Sequence, residues 1–157
     1  TSTNSSISGV TYSNYGVKNI RLVVLDVNGC TDTFTNTVEV YDNPISRIVT
    51  PINVQCNDGH AFDFIGTSST AGAGQKISGY KWNFGTGSNS NSTITDTVTN
   101  VTFSSTGKKT VLLTVTDTTG CADTSSILVE VKKNPIANWT FKQRSAGAVK
   151  ATVGIAK

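Results

Sequence analysis

Four aspartates flank two short turns, Asp26 with Asp32 and Asp117 with Asp123, each pair six residues apart around Asp-x-x-Gly-Cys. Carboxylates bind hard cations when several converge on one point, so these four are the candidate calcium ligands. Each turn offers only two, and aspartate is also the residue that bonds the backbone of a tight turn. Turn and strand-end capping is therefore the favoured expectation, with calcium kept as the alternative and no other cofactor expected. The lone histidine, His60, sits in "NDGHAF" with no serine or cysteine arrangement that suggests a nucleophile and its base. A surface or turn-packing role is expected for it. "GTGS" after Phe84 is followed by no lysine, so it is no phosphate loop. Nothing in these residues points to an enzyme.

Composition narrows the partners. The net charge is +3, and lysine and arginine are scattered apart from the pairs Lys108-Lys109 and Lys132-Lys133. Nucleic-acid binders concentrate their charge, so no nucleic acid is expected. No apolar run approaches the length of a membrane-spanning helix, so no membrane insertion is expected within these residues, and any targeting signal or anchor would lie outside them. The 157 residues include 25 Thr, 17 Ser and 14 Asn but only two Glu, a composition suited to strands and turns.

The turns belong to a longer repetition. Cys30 and Cys121 stand 91 residues apart, and from Thr11/Thr102 to Pro44/Pro135 this offset holds without a gap, with 16 identities in 34 positions. A unit of that length is the size of a small independent β-domain. Only one unit is whole, residues 44–134. Residues 1–43 match the second half of another, and residues 135–157 begin a further one. A half-unit of two or three strands buries little, so the expectation is a piece of a longer chain or a half-domain completed by another segment. "DNP" and "KNP" at residues 42–44 and 133–135 mark short, stiff joints, because proline discourages continued pairing.

The dominant period within the unit is two. "KKTVLLTVTD" sets Val111, Leu113 and Val115 on one face, and "VKNIRLVVLD" does the same with Ile20, Leu22 and Val24. "HAFDF" alternates Phe62 and Phe64, and "YKWNF" alternates Tyr80, Trp82 and Phe84. These residues are the candidate core. Five or more short strands with Gly, Asn and Ser turns predict an all-β, two-sheet antiparallel sandwich. "AVKATVGI" alternates as well and predicts a first strand of the third unit. Two long polar loops, residues 68–79 and 85–96, are where binding would most easily be built.

"YKWNFGTGS" and "FSSTGKKTVLLTVTDTTGC" resemble the PKD domain family, an immunoglobulin-like sandwich with a Trp-Asp-Phe-Gly-Asp-Gly motif followed by an aromatic, a turn glycine and an alternating strand ending in aspartate. Trp82, Phe84, Gly85 and Gly87 match that motif, as do Phe103, Gly107, Val111, Leu113, Val115 and Asp117. Asn83 and Thr86 replace its two acidic residues. The resemblance implies immunoglobulin-like sandwich repeats in tandem. The added cysteine pattern is similar to PKD-like repeats of large surface proteins of gliding bacteria, including motility adhesins exported by the type IX route.

On that basis Cys56, on an early strand, and Cys121, beginning a late one, are expected to form a disulfide within the unit, with Cys30 paired to a cysteine outside these residues. Closing so long a loop would contribute about 4 kcal/mol, in an extracellular setting. A free thiol pair and a metal site are the alternatives. The implied function is a non-enzymatic structural or adhesive module of a secreted cell-surface adhesin. Its partners would be neighbouring repeats and polysaccharide or solid surfaces. The rival is an accessory polysaccharide-binding or spacer domain of a secreted hydrolase.

Overall fold

The computed structural model describes residues 3–90, 94–143 and 149–155, with side chains as far as Asn138. Alternation decides its longest strands. In β7 (Gly107–Asp117), Val111, Leu113 and Val115 are fully buried while the alternate residues face outward, Thr110 exposed and Leu112 and Thr114 partly so. An Asp-x-x-Gly turn then reverses the chain into β8 (Ala122–Lys132), antiparallel to β7 from Gly107↔Val131 to Thr116↔Ala122. Gly120 takes φ +87°, which a side chain would resist, and donates to the Asp117 carbonyl at 3.1 Å.

The remaining strands of the unit are β3 (Val54–Cys56), β4 (Phe62–Ile65), β5 (Ile77–Asn83) and β6 (Thr97–Val101). One sheet has the order β3-β8-β7-β5 and the other pairs β4 with β6. Their inner faces share one core: Phe62 and Phe64 from β4, Trp82 from β5, Val98 and Val101 from β6, and the valines and leucine of β7 and β8, closed by Phe84 and Phe103. Phe64 is the hub, with ring centroids 6.3 Å from Phe62, 6.2 Å from Trp82 and 5.6 Å from Phe84. The Trp82 indole donates to the Thr95 carbonyl at 2.8 Å, so its one polar atom is satisfied inside the core. Gly66 is required by close approach, since a Cβ there would lie 2.8 Å from Leu113 Cδ2.

The sandwich is not wholly antiparallel. β3 pairs with β8 in parallel, Val54↔Glu130 to Cys56↔Lys132. The reason lies in the path of the preceding segment, which bridges Ile45 to Thr70 and Val49 to Ile65 before it crosses to the other sheet. It travels in the same direction as β8, so the only ladder it can make there is parallel.

Outside the unit, β1 (Gly16–Leu25) and β2 (Thr31–Val40) form an antiparallel hairpin, and β9 (Ala137–Gln143) pairs with β10 (Val149–Ile155). β10 coincides with the expected alternating strand, but β9 precedes it, so it is not the first of its segment. The facing of Val149, Ala151, Val153 and Ile155 lies outside the described side chains. The structure contains no helix long and apolar enough to cross a membrane among the described residues.

Candidate functional site

The most heavily bonded non-core feature is the path by which the chain comes into the unit and leaves it. At the leading end, Ile45 and Thr70 exchange backbone bonds of 2.7 and 3.0 Å. The Ser46 amide donates to Asp123 Oδ2 at 2.8 Å, and its buried hydroxyl bonds the Leu113 carbonyl at 2.9 Å and the Ser125 hydroxyl at 2.7 Å. Small side chains are needed for this: a Cβ on Gly72 would overlap the Asp42 carbonyl. The polar loop at 68–79 is thus committed, in part, to holding the leading joint.

At the trailing end the parallel ladder is extended on both sides. The Glu130 amide donates to the Asn53 carbonyl at 2.8 Å, and the Asn57 amide to the Lys132 carbonyl at 2.7 Å. The Asp58 amide reaches Asn134 Oδ1 at 3.2 Å, tying the joint residue itself. Asp123 lies near the start of β8 and Lys132 at its end, so the chain arrives and departs at opposite ends of an 11-residue strand. At ~3.3 Å per residue that is about 36 Å.

The same geometry corrects the expected disulfide. Cys56 stands opposite Lys132, whereas Cys121 immediately precedes β8. The two are separated by the length of the strand, far outside the ~4.4–6.8 Å Cα separation a disulfide needs. Among the described residues no cysteine is bonded to another, Cys30 and Cys56 being exposed and Cys121 half-buried. Sequence order placed the pair on early and late strands but could not say which ends of those strands meet.

The aspartates serve the backbone. Asp117 Oδ1 accepts from the Thr119 hydroxyl at 2.7 Å, the Thr119 amide at 2.9 Å and the Cys121 amide at 3.0 Å. Asp26 repeats the arrangement with the Asn28 and Cys30 amides at 2.9 and 2.8 Å. Asp32 accepts from the Thr33 amide, and Asp123 is taken by Ser46. No group of three or more His, Cys, Asp or Glu converges among the described residues. Chelation with excess EDTA is accordingly expected to move the melting temperature by less than about 1 °C; a drop of several degrees would return calcium to these turns.

Asp117 is buried, and among the described residues its Oδ2 has no hydrogen-bond partner. Its carboxyl is held below the usual aspartate value, chiefly by the Thr119 hydroxyl and further by the Thr119, Cys121 and Gly120 amides, with burial opposing. A depressed folded value contributes stability above the unfolded value, and that contribution is lost as pH falls through the folded one. Thermal melts should show a decline setting in below about pH 4, and Asp117→Asn should flatten that decline while lowering the melting temperature at neutrality. An unchanged acid slope would remove Asp117 from the account.

His60 is a second knot at the trailing end. Its Nε2 accepts from the Phe103 amide at 2.8 Å, which places the ring proton on Nδ1, donated to the Asn57 carbonyl at 2.8 Å. Asn83, where the family motif carries an acid, still caps its turn, because Oδ1 accepts from the Gly85 amide at 2.9 Å. Beside His60 an open cleft of about 530 Å³ is lined by Gly87, Ser88, Asn89, Thr102 and Ser104. Of the second polar loop, Gly87, Ser88 and Asn89 form its wall, while residues 91–93 lie outside the described ones.

The family model described as "PKD domain" matches residues 42–131, more than half of the chain. The chain belongs to the PKD domain family. Among solved structures, the PKD1 domain of Vibrio anguillarum Epp is similar at 21% identity and TM-score 0.48, covering 60% of this chain and 100% of that one. The PKD1 domain of the Vibrio cholerae metalloprotease PrtV is similar at 24% identity and TM-score 0.47, covering 58% and 99%. A structure of carbohydrate-binding modules from the β-sandwich superfamily aligns at 23% identity and TM-score 0.52, covering 64% of this chain and 38% of that one. Among curated proteins, none matches the chain in sequence. The PKD unit is thus an immunoglobulin-like β-sandwich, and the ladder, joints and cleft above are features of this member.

Proposed function

We propose that the chain is a non-enzymatic, load-bearing and adhesive module of a long secreted adhesin at the cell surface. In this reading PKD units are strung in tandem, residues 1–43 being the end of one, 44–134 a whole one and 135–157 the start of the next. The repeat at 91 residues and the cysteine-bearing turns support a place among the surface adhesins of gliding bacteria exported by the type IX route. The observation that carries the reading is the parallel pairing of β3 with β8. Tension on the two joints pulls β3 toward the leading end and β8 toward the trailing end. Their bonds lie across the pull and must yield together rather than one at a time. With the disulfide gone, this ladder and the aromatic core are what resist shear.

Single-molecule extension of the full chain tests it. Asn57→Pro deletes the amide that bonds Lys132, a bond of about 1 kcal/mol, and is expected to raise the forced unfolding rate of the unit roughly fivefold at equal force. Equal rates would sink the load-bearing role. The cleft beside His60 favours a second reading, an accessory polysaccharide-binding or spacer domain of a secreted hydrolase. Saturable binding of the folded chain to a soluble polysaccharide, lost on crowding the cleft with Ser88→Trp, would favour it over the stalk.

A further inference from the structure

The β1–β2 hairpin is a copy of β7–β8 in detail. Strand starts and register coincide at the offset of 91, Gly16↔Val40 answering Gly107↔Val131, with β7 and β8 each one residue longer. In both turns the aspartate amide bonds the cysteine carbonyl at 2.9 Å. Gly16 and Gly107 take φ +103° and +106°. Lys18 lies over the Tyr12 ring at 5.9 Å, as Lys109 lies over Phe103 at 5.8 Å. The likeness reaches further upstream: Asn100, the one non-glycine at positive φ among the described residues, answers Gly9 at φ +72°.

What differs is cover. Val111, Leu113 and Val115 are 0% exposed, but Ile20, Leu22 and Val24 are 43%, 57% and 51% exposed. Val38 answers the buried Val129, and Ile7, 60% exposed, answers Val98 at 8%. Residues 5–10 form no strand, although their counterparts include β6. That strand exists in the unit because β4 pairs with it.

We infer that the apolar face of β1–β2 is the seat of a polypeptide segment with the chemistry of residues 44–91, a PKD front half bearing two aromatic strands. The argument is continuity with a contact already described. The same backbone presents side chains of nearly the same volume at the positions that the β4–β6 sheet covers and that adjoin β5 in the unit, and volume-conserving sets accept the same partner. A face-to-face second copy would instead set two identical hairpin faces together, without the aromatic strands that meet this face in the unit. One position specifies the occupant more narrowly. Phe34 stands where Ser125 bonds the Ser46 hydroxyl. The fitting segment therefore carries glycine or alanine in place of Ser46, making room for the ring.

The inference rests on the tandem reading for the source of the segment. Residue 92 is the counterpart of residue 1, so residues 44–91 joined directly ahead of the full chain keep the register. Hydrogen exchange is then read on Gly16–Leu25 and Thr31–Val40. The expected result is exchange slowed at least about a hundredfold toward that of β7 and β8, more so with Ser46→Gly in the added segment. Leu22→Asp in the extended chain should abolish that protection and leave residues 44–134 protected. Hairpin amides that exchange as fast with the extension as without it would overturn the inference. So would a 157-residue chain already protected there through self-association. The forced-unfolding test is read on residues 44–134 alone, so failure of the load-bearing reading and failure of completion are separately visible.

Discussion

Phe64→Ala is expected to cost about 3–5 kcal/mol, enough to remove much of the stability of a domain whose total is about 5–15 kcal/mol. The ring is fully buried and touches three other aromatic rings drawn from β4, β5 and the turn after β5. Deleting it removes the contact between the two sheets at its centre, and the neighbours are poorly placed to collapse inward. Trp82 and Phe84 are stacked at 5.9 Å with planes 7° apart. The Trp82 nitrogen is also fixed to Thr95. Urea unfolding should show the lower midpoint with an unchanged slope. Phe64→Leu, which keeps much of the volume, should cost less than about 2 kcal/mol. A loss below about 1 kcal/mol for alanine would mean that the sheets are held together elsewhere, at the joints rather than the core.

How far the sequence discloses this molecule depends on whether a feature is periodic or relational. The period of two along Val111, Leu113 and Val115 is a local consequence of strand geometry, and the offset of 91 carries it to Ile20, Leu22 and Val24. The turns are legible for the same reason, since aspartate followed by glycine three residues on has one compact solution. The pairing of β3 is not legible in this way. "VQC" is three residues long, and whether it meets β8 head-on or alongside depends on the bridges that Ile45 and Val49 make first. The cysteine pairing failed at the same step, because Cys56 takes its place from that ladder. For His60 the turn-packing expectation matches its bond to the Asn57 carbonyl in the same loop. Its second partner, the Phe103 amide, is 43 residues away, a distance over which one sequence offers no signal.

That partner makes His60 the site of the other large effect. His60→Ala leaves the Phe103 amide without its acceptor inside the core and the Asn57 carbonyl without its donor, and opens space beside Phe62, whose ring centroid is 5.9 Å away. An orphaned buried amide alone costs about 1–3 kcal/mol, so a total of about 2–4 kcal/mol is expected with the lost packing. His60→Phe separates the two contributions, since it restores the ring without its hydrogen bonds. If the bonds matter, phenylalanine recovers only a minor part of the loss in urea melts; full recovery would reduce His60 to a space filler. The consequence reaches the ladder through Asn57, whose carbonyl His60 holds while its amide holds Lys132. His60→Ala should therefore speed forced unfolding as Asn57→Pro does. The double variant should fall short of the product of the two, because both act on one peptide segment. Independent, multiplying effects would show that the histidine steadies the core alone and that the ladder bears its load without it.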